Sequence, residues 1–196
     1  MKKIAVIVAS LLILGGIASA QPRAVGVRYG WGYEFSFQYS FAQYQFLQVD
    51  LGTVNCGLGV PPRSAFVLPT GFRTTATYNF IFSEPTWTSR GDWAWYAGVG
   101  VALGIYHQGK EWYEMSSEEG DVVEKGWRDA NYNYLLAGLV PVFGLEYTFW
   151  FPMQVSVSLN PTIGALAGRK NAPMNGFYKD GITFGWIPTL AVRYKF

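Results

Sequence analysis

His107 is the only histidine in the chain, and the serine-containing acidic segment that follows it could supply a hydrolytic site. Ser116 or Ser117 could act as a nucleophile and Glu118 could orient the histidine, because such chemistry needs these groups within hydrogen-bond reach. The spacing argues against this, since no serine stands two residues after His107. A lone histidine is more often a solvated or interfacial residue. We therefore predict no catalytic residues and a protein that is not an enzyme.

Cofactor and metal chemistry has little support in the sequence. The acidic stretch EMSSEEGDVVEK lacks the position-by-position carboxylate spacing of a calcium loop. The glycines in Gly98-Val99-Gly100 fall in a strand-like segment and do not form a nucleotide-binding turn. We therefore predict no cofactor and no metal ion.

Six charged residues share a feature that could matter chemically, because each lies on the polar face of an alternating segment. Three are basic and three are acidic: Arg28, Arg73, Arg193, Glu34, Asp50 and Glu146. If these faces meet inside a barrel, equal numbers of opposite charges favour a network of paired side chains that plugs the interior. The alternative is a small gated pore lined by the same groups, although a selective pore more commonly carries a ring of one sign.

The segments that carry these charges alternate at a period of two, which indicates β-strands. In VGVRYGWGYEFSFQYSF every odd position from Val25 to Phe41 is apolar, and the even positions hold glycine, small polar residues and two charges. Similar blocks recur along the chain, and they are Gln45–Val54, Phe72–Phe82, Trp93–His107, Leu135–Phe149, Met153–Ala165 and Ile182–Phe196.

These seven blocks become eight strands if the first is a hairpin folded at Gly30-Trp31-Gly32, and an even number is usual for a bacterial barrel. The predicted short connections are Ala42–Tyr44, Ser83–Asp92 and Trp150–Pro152. The predicted long ones are Asn55–Gly71, Gln108–Asn133 and Leu166–Gly181. Short and long connections therefore alternate, as expected when turns face the periplasm and loops face the outside.

The N-terminus predicts export. Lys2 and Lys3 precede an apolar run that ends in Ala18-Ser19-Ala20, which is typical of a cleaved secretory signal peptide at residues 1–20. The remaining residues, 21–196, form the predicted barrel domain and hold equal numbers of acidic and basic residues. This balance gives no basic surface for nucleic acid. No later apolar run reaches the length of a membrane helix, so an exported apolar chain of this kind predicts an all-β, eight-stranded antiparallel up-and-down transmembrane β-barrel.

Four stretches resemble the small eight-stranded outer-membrane β-barrels of Gram-negative bacteria, the OmpA/OmpX-like family. They are VGVRYGWG, WYAGVGVALGIY, FGLEYTF and LAVRYKF. The resemblance implies a bacterial outer-membrane location and folding by the barrel assembly machinery. The closing segment, with Leu190, Val192, Tyr194 and Phe196 at alternate positions, is similar to the signal which that machinery reads. Two-domain members carry a peptidoglycan-binding domain after the barrel, and we expect none here because the barrel segment runs to Phe196.

The aromatic faces are then predicted to contact outer-membrane lipid. Trp and Tyr near strand ends would form the interfacial girdles, and the candidates are Trp31, Trp93, Trp95, Tyr147, Trp150 and Tyr194. The predicted role is structural or surface-interacting, with the long outer loops as the surface for an extracellular ligand.

Overall fold

The computed structural model describes residues 23–30, 32–54, 70–116, 122–168, 176–180 and 188–196, so the predicted signal peptide lies outside the described residues. The described chain is built from ten strands. They are β1 (Arg23–Tyr29), β2 (Tyr33–Ala42), β3 (Gln45–Val54), β4 (Thr70–Ser83), β5 (Asp92–Ser116), β6 (Val122–Thr148), β7 (Met153–Leu159), β8 (Thr162–Gly168), β9 (Gly176–Asp180) and β10 (Thr189–Lys195). Within these ranges no helix is long and apolar enough to span a membrane.

The strands form one closed antiparallel barrel. Strands β1 to β6 pair in sequence, and β6 then pairs with β7 through its C-terminal part and with β8 through its middle. Strand β10 pairs with both β7 and β1, and β9 pairs with β8. Because β7 and β8 together make one barrel strand and β9 and β10 another, the ring contains eight strands, which confirms the predicted fold class.

The seventh barrel strand is interrupted where the sequence predicts a continuous segment from Met153 to Ala165. β7 ends at Leu159 and β8 begins at Thr162, so Asn160 and Pro161 lie between them. Proline has no backbone N–H to contribute to the hydrogen-bond ladder, and strands therefore break or bulge at such a residue.

The first block is a hairpin, as predicted. Tyr29 pairs with Tyr33 and Arg28 with Glu34, so the chain reverses between residues 29 and 33. Three residues connect the strands, and an odd number preserves the alternation of apolar and polar positions across the turn. The hairpin therefore places Arg28 and Glu34 as direct cross-strand neighbours on one face.

The two faces of the wall are sorted as the alternation predicts. On β5 the side chains of Val99, Val101, Leu103 and Ile105 are each more than half exposed, whereas Ala102 between them is fully buried. The outward side chains of β2, β4, β6 and β10 are mainly apolar as well, and they include exposed aromatic rings on β2 and β4. The buried face carries the polar and charged side chains.

Two of the predicted long loops are partly strand, and those boundaries were wrong. Between Gln108 and Asn133 the pairing of β5 with β6 continues as far as Ser116 and Val122. The pairing of β5 with β4 stops at His107, and that of β6 with β8 stops at Tyr134, so this continuation is a two-stranded ribbon beyond the barrel wall. A ribbon that does not enclose the barrel interior needs no alternation of polar and apolar residues. The alternation in the sequence therefore did not predict these strand extensions.

The segment from Leu166 to Gly181 is also not a loop throughout. β8 continues to Gly168, and β9 occupies Gly176–Asp180 and pairs with it. Of the long connection predicted at Asn55–Gly71, residues 55–69 lie outside the described residues.

The short connections lie together at one end of the barrel, which we call the turn end; the opposite end is the loop end. The turn end holds the connections from Ala42 to Gln45, from Ser83 to Asp92 and from Thr148 to Met153. These connections and the adjoining strand ends carry a chain of contacting rings with neighbouring centroids 4.6–6.3 Å apart, formed by Trp87, Trp93, Trp95, Phe82, Phe143, Tyr147, Phe149, Phe151 and Trp150. Three of the predicted girdle tryptophans, Trp93, Trp95 and Trp150, belong to this group, and Trp31 lies outside the described residues.

Candidate functional site

Four of the six predicted charges meet in one buried group, which we call the loop-side cluster: Arg28, Glu34, Asp50 and Arg73. Arg28 donates from Nε to Glu34 Oε2 over 2.6 Å, and its Nη1 lies 2.9 Å from Asp50 Oδ2. Arg73 Nη2 approaches Glu34 Oε1 at 3.3 Å. Glu34 therefore bridges two guanidinium groups, and the cluster contains two charges of each sign.

Neutral side chains complete the loop-side cluster. Asp50 Oδ2 also accepts from Gln48 Nε2 at 2.8 Å and from Thr75 Oγ1 at 3.3 Å. Arg73 Nη1 donates to Thr162 Oγ1 on the opposite side of the interior at 3.1 Å. The Asn160 amide, oriented with its oxygen toward Arg28, accepts from Nη2 at 3.2 Å. Bonds that join β4 to β8 in this way cross the lumen, so the cluster ties opposite walls together.

The remaining two charges, Arg193 and Glu146, form the turn-side cluster. Arg193 donates from Nε to Ser36 Oγ and from Nη1 to Ser156 Oγ, each at 2.9 Å. Its distance to Glu146 Oε2 is 4.0 Å, and Gln38 Nε2 donates to the same oxygen at 3.3 Å. Glu146 therefore has longer and fewer charged contacts than Glu34, although each is only 6% exposed.

Apart from Glu146 near the turn end, the inward face of β5 and β6 carries mainly small residues, aliphatic residues and a few tyrosines, which leaves room for side chains from the facing strands. Tyr96 is buried, and its ring lies where a side chain on Gly144 would stand. Tyr96 also packs edge-on against Phe46, with the centroids 5.2 Å apart. Glycine at position 144 is therefore required by this close approach of the ring.

A cavity of about 460 Å³ opens at the turn end. Glu146, Gln38 and Gln154 contribute its buried polar lining, and Phe46 and Ile81 contribute apolar lining. Gln38 Oε1 and Gln154 Oε1 are buried without a hydrogen-bond partner among the described residues. The cavity is thus adjacent to the turn-side cluster rather than to the loop-side one.

The residues of the predicted assembly signal all lie on the outward face of β10 or just after it. Leu190, Val192, Tyr194 and Phe196 are 47%, 37%, 54% and 60% exposed. The backbone of Phe196 exchanges two hydrogen bonds with Arg23, at 2.8 and 3.0 Å, where the eighth strand meets the first. The structure therefore places this segment at the seam that closes the ring.

The hydrolytic arrangement considered for His107 is not assembled in the described part of the chain. The His107 ring is exposed, and its Nδ1 lies 2.9 Å from the Asn133 side-chain oxygen. Ser117 and Glu118 lie outside the described residues. No group of three or more metal-binding side chains occurs among the described residues.

Sequence reasoning named the charged residues but not the neutral side chains that bond them. Ser36, Ser156, Asn160 and Thr162 were missed as partners, although each stands on the same face as the charges of its region. Alternation places a side chain inside the barrel, but it does not give the height of that side chain along the barrel axis. The partner across the lumen depends on strand tilt and register.

No protein-family model and no curated protein matches the sequence. The structure is similar to the crystal structure of the N-terminal β-barrel domain of OprF from Pseudomonas aeruginosa, with a TM-score of 0.51 and 15% sequence identity. The match covers 90% of this chain and 96% of that domain. At this identity the comparison establishes the fold: the chain is a closed, eight-stranded antiparallel β-barrel similar to that of the OprF domain.

Proposed function

We propose that this protein is a barrel of the bacterial outer membrane with a structural or surface-interaction role. The apolar outward face supports this location, because in water such a continuous exposed surface would favour aggregation. A closed barrel also satisfies its backbone hydrogen bonds internally, as lipid requires. The similarity to the OprF barrel domain supports the same environment.

The lumen is proposed to be plugged by the two charged clusters. The observation that carries this proposal is the burial of all six charged side chains, with ion pairs and hydrogen bonds that join facing walls. An eight-stranded barrel is only wide enough for side chains to fill. Separating these partners to open a channel would leave buried charges unpaired, which is costly.

The working surface is proposed to be the loop end, facing outside the cell. The ribbon formed by β5 and β6 supports this, since it extends beyond the last residues that pair with β4 and β8. An extended hairpin of this kind offers a surface to an extracellular ligand. The partners of the barrel wall would be outer-membrane lipid.

Delivery to the membrane is proposed to use the secretory signal at residues 1–20 and the barrel assembly machinery. The outward position of Leu190, Val192, Tyr194 and Phe196 supports a role for these side chains in recognition, because none of them is needed to fill the lumen. Their strand also forms the closing seam.

A small gated pore is the second candidate, and the cavity at the turn end is the observation that favours it. This cavity reaches Glu146, so a continuous path would require Arg193 and the loop-side cluster to move aside. A lipid-modifying enzyme has less support. The Nδ1 atom of His107 lies against the side-chain amide of Asn133, not against a nucleophile or a carboxylate.

Planar-bilayer conductance of the purified protein tests the plug. We expect no steady openings from the wild-type barrel, and we expect transient leaks in Arg73→Ala, which removes the contacts of this guanidinium with Glu34 and Thr162. The outward variant Val101→Ala is the control for general perturbation of the wall. Steady ion-selective openings of the wild type that disappear on substitution of Arg73 or Glu146 would establish the pore instead.

A further inference from the structure

The ladder of hydrogen bonds between β6 and the seventh barrel strand has a gap. Pairing of β6 with β7 ends at Phe143 and Leu159, and pairing of β6 with β8 begins at Leu139 and Ile163. Both strands advance by the same number of residues between these two pairs, so no residue is inserted in either of them. The register is therefore unbroken, and only the hydrogen bonds are missing.

Two opposed prolines account for the gap. In this register Pro141 of β6 stands directly opposite Pro161. The backbones of Gly138 and Gly164 approach so closely that a side chain added to Gly164 would clash with the Cα of Gly138. Such a close approach identifies a non-hydrogen-bonded pair, and because the two kinds of pair alternate, the proline pair falls at a hydrogen-bonded position. Proline has no backbone N–H, so both hydrogen bonds of that pair are lost.

The other edge of the seventh strand is interrupted at the same place. β7 pairs with β10 as far as Ser158 and Thr189, whereas β8 pairs with β9 from Thr162 and Asp180 onward. Three residues separate Ser158 from Thr162, but eight residues separate β9 from β10. One ladder cannot continue into the other in register, so in the described part of the chain the strand lacks ladder bonds on both edges beside Pro161.

β8 and β9 together form what we call the flap, Thr162–Gly168 with Gly176–Asp180. One edge of the flap is attached to β6 by the pairs between Tyr134 and Leu139 of β6 and the facing residues of β8. Its lower edge is the break at Pro161, and among the described strands β9 pairs with β8 alone. A sheet segment attached along one edge opens more easily than the wall around it.

Side chains from across the lumen hold the lower edge of the flap. Asn160, just before the break, accepts from Arg28 Nη2 at 3.2 Å, and Thr162, just after it, accepts from Arg73 Nη1 at 3.1 Å. Both guanidinium groups belong to the loop-side cluster, in which Glu34 contacts them both. Two charge-assisted side-chain bonds therefore stand where the backbone bonds are missing.

We propose that the flap is a movable part of the barrel wall and that the loop-side cluster holds it closed. When Arg28 and Arg73 release Asn160 and Thr162, the flap turns outward about the β6–β8 ladder and opens the loop end of the lumen sideways. The side chain of Leu166, which is 2% exposed in the closed barrel, is uncovered by this movement. The opening is lateral, so it is distinct from conduction along the barrel axis.

Amide hydrogen exchange of the full barrel in phospholipid nanodiscs, measured by NMR, reports the opening of each ladder. In the wild type we expect amides of β8 and β9 to exchange at least about tenfold faster than those of β7 and β10. Thr162→Val removes the hydroxyl that accepts from Arg73 and keeps a similar side-chain shape. It should raise exchange in the flap at least about tenfold, because a hydrogen bond to a charged group is lost.

Thr75→Val is the matched control. Thr75 is as deeply buried as Thr162, and its hydroxyl donates to Asp50 of the same cluster, but it lies on β4. The variant therefore removes one hydrogen bond from the cluster without touching the flap. Exchange in the flap should rise by less than about threefold, since the change reaches Arg28 only through Asp50.

Pro161→Val tests the break with the opposite sign, and it keeps the proposal testable if Thr162→Val does not fold. Valine restores one N–H opposite the carbonyl of Pro141. Exchange in the flap should slow at least about fivefold, because one ladder hydrogen bond is regained.

Distances between spin labels, measured by double electron–electron resonance, distinguish a swing of the flap from fraying of its hydrogen bonds. One pair joins exposed Ala165 on the flap to Leu51 on β3, and the control pair joins Val157 on β7 to Leu51, both in a Cys56→Ser background. We expect a second, longer distance for the flap pair, with a population that grows in Thr162→Val. The control pair should keep one distance.

Any one of four results overturns the proposal. The first is that flap amides of the wild type exchange no faster than those of β7 and β10. The second is that Thr162→Val accelerates flap exchange no more than Thr75→Val does. The third is that folded Pro161→Val exchanges as fast as the wild type, and the fourth is a single, unchanged distance between Ala165 and Leu51 in every variant.

Discussion

Replacing Glu34 with glutamine removes the one carboxylate that bridges Arg28 and Arg73 while keeping the side-chain volume. In the folded barrel this carboxylate accepts from Arg28 Nε at 2.6 Å and from Arg73 Nη2 at 3.3 Å. The Glu34 side chain is only 6% exposed, so in the variant water cannot solvate the two guanidinium groups in place of the lost carboxylate. The variant therefore leaves two buried guanidinium groups with Asp50 as the remaining carboxylate of the cluster.

The size of the destabilisation depends on the contacts that the two arginines keep in the Glu34→Gln variant. Removing one partner of a buried ion pair costs about 3–5 kcal/mol, because the other charge stays buried and uncompensated. Arg28 keeps Asp50 Oδ2 at 2.9 Å and Arg73 keeps Thr162 Oγ1 at 3.1 Å. We therefore expect Glu34→Gln to lower the free energy of unfolding by an amount near the lower limit, about 3 kcal/mol.

Glu146→Gln is the matched comparison, since Glu146 is buried to the same extent. Its distance to Arg193 is 4.0 Å, and Arg193 keeps its two bonds to Ser36 and Ser156 when the carboxylate is removed. The substitution weakens a long ionic contact and the hydrogen bond that Gln38 donates to the carboxylate. The expected loss is about 1–2 kcal/mol, close to that of one hydrogen bond to a charged group.

Urea-induced unfolding in phospholipid vesicles, followed by tryptophan fluorescence, measures both losses under conditions where folding is reversible. The comparison requires that the unfolding free energy of the wild type and of each variant falls with urea concentration at the same slope. The reasoning is refuted if Glu146→Gln is as destabilising as Glu34→Gln, because the contact geometry would then not determine the cost of removing a buried carboxylate.

Two further predictions concern the faces and ends of the barrel. Val99→Arg should destabilise the barrel in bilayers by about 2–4 kcal/mol relative to Val99→Ala, as expected for a charge on the lipid face near the midplane, and an unchanged unfolding free energy would show that this face does not meet lipid. An epitope tag inserted between Ser116 and Val122 should bind antibody on intact cells, whereas the same tag at Gln43 should bind only after the outer membrane is permeabilised; the reverse pattern would invert the proposed orientation.

The wall of the barrel could be predicted from the sequence because its two environments differ in polarity. Val99, Val101 and Leu103 alternate with Gly98, Gly100 and Ala102, and the structure exposes the first set and turns the second inward. The pairing of Arg28 with Glu34 also follows from the hairpin, since these residues lie symmetrically about a three-residue connection. The local sequence therefore predicts whether a side chain on the wall points inward or outward, and which residues pair across a tight turn.

Other features required information that alternation does not contain. The bond from Arg73 to Thr162 joins strands distant in sequence, and its formation depends on the tilt of the barrel strands. The ribbon beyond His107 has no interior to impose a pattern, so its strand pairing was hidden in a segment predicted to be a loop. The turn-end cavity likewise depends on how far side chains from several strands reach into the same space.

The seam between β1 and β10 has a consequence for how the ring comes together. Each of the other contacts between successive barrel strands joins segments that are neighbours along the chain, whereas the seam joins Arg23 to Phe196. Until it forms, two strand edges present unpaired N–H and C=O groups, which hydrocarbon does not solvate. In a lipid bilayer, insertion and closure would therefore be thermodynamically coupled, because a sheet with an open seam would leave these groups unsatisfied. A membrane environment would thus make assembly of the ring cooperative.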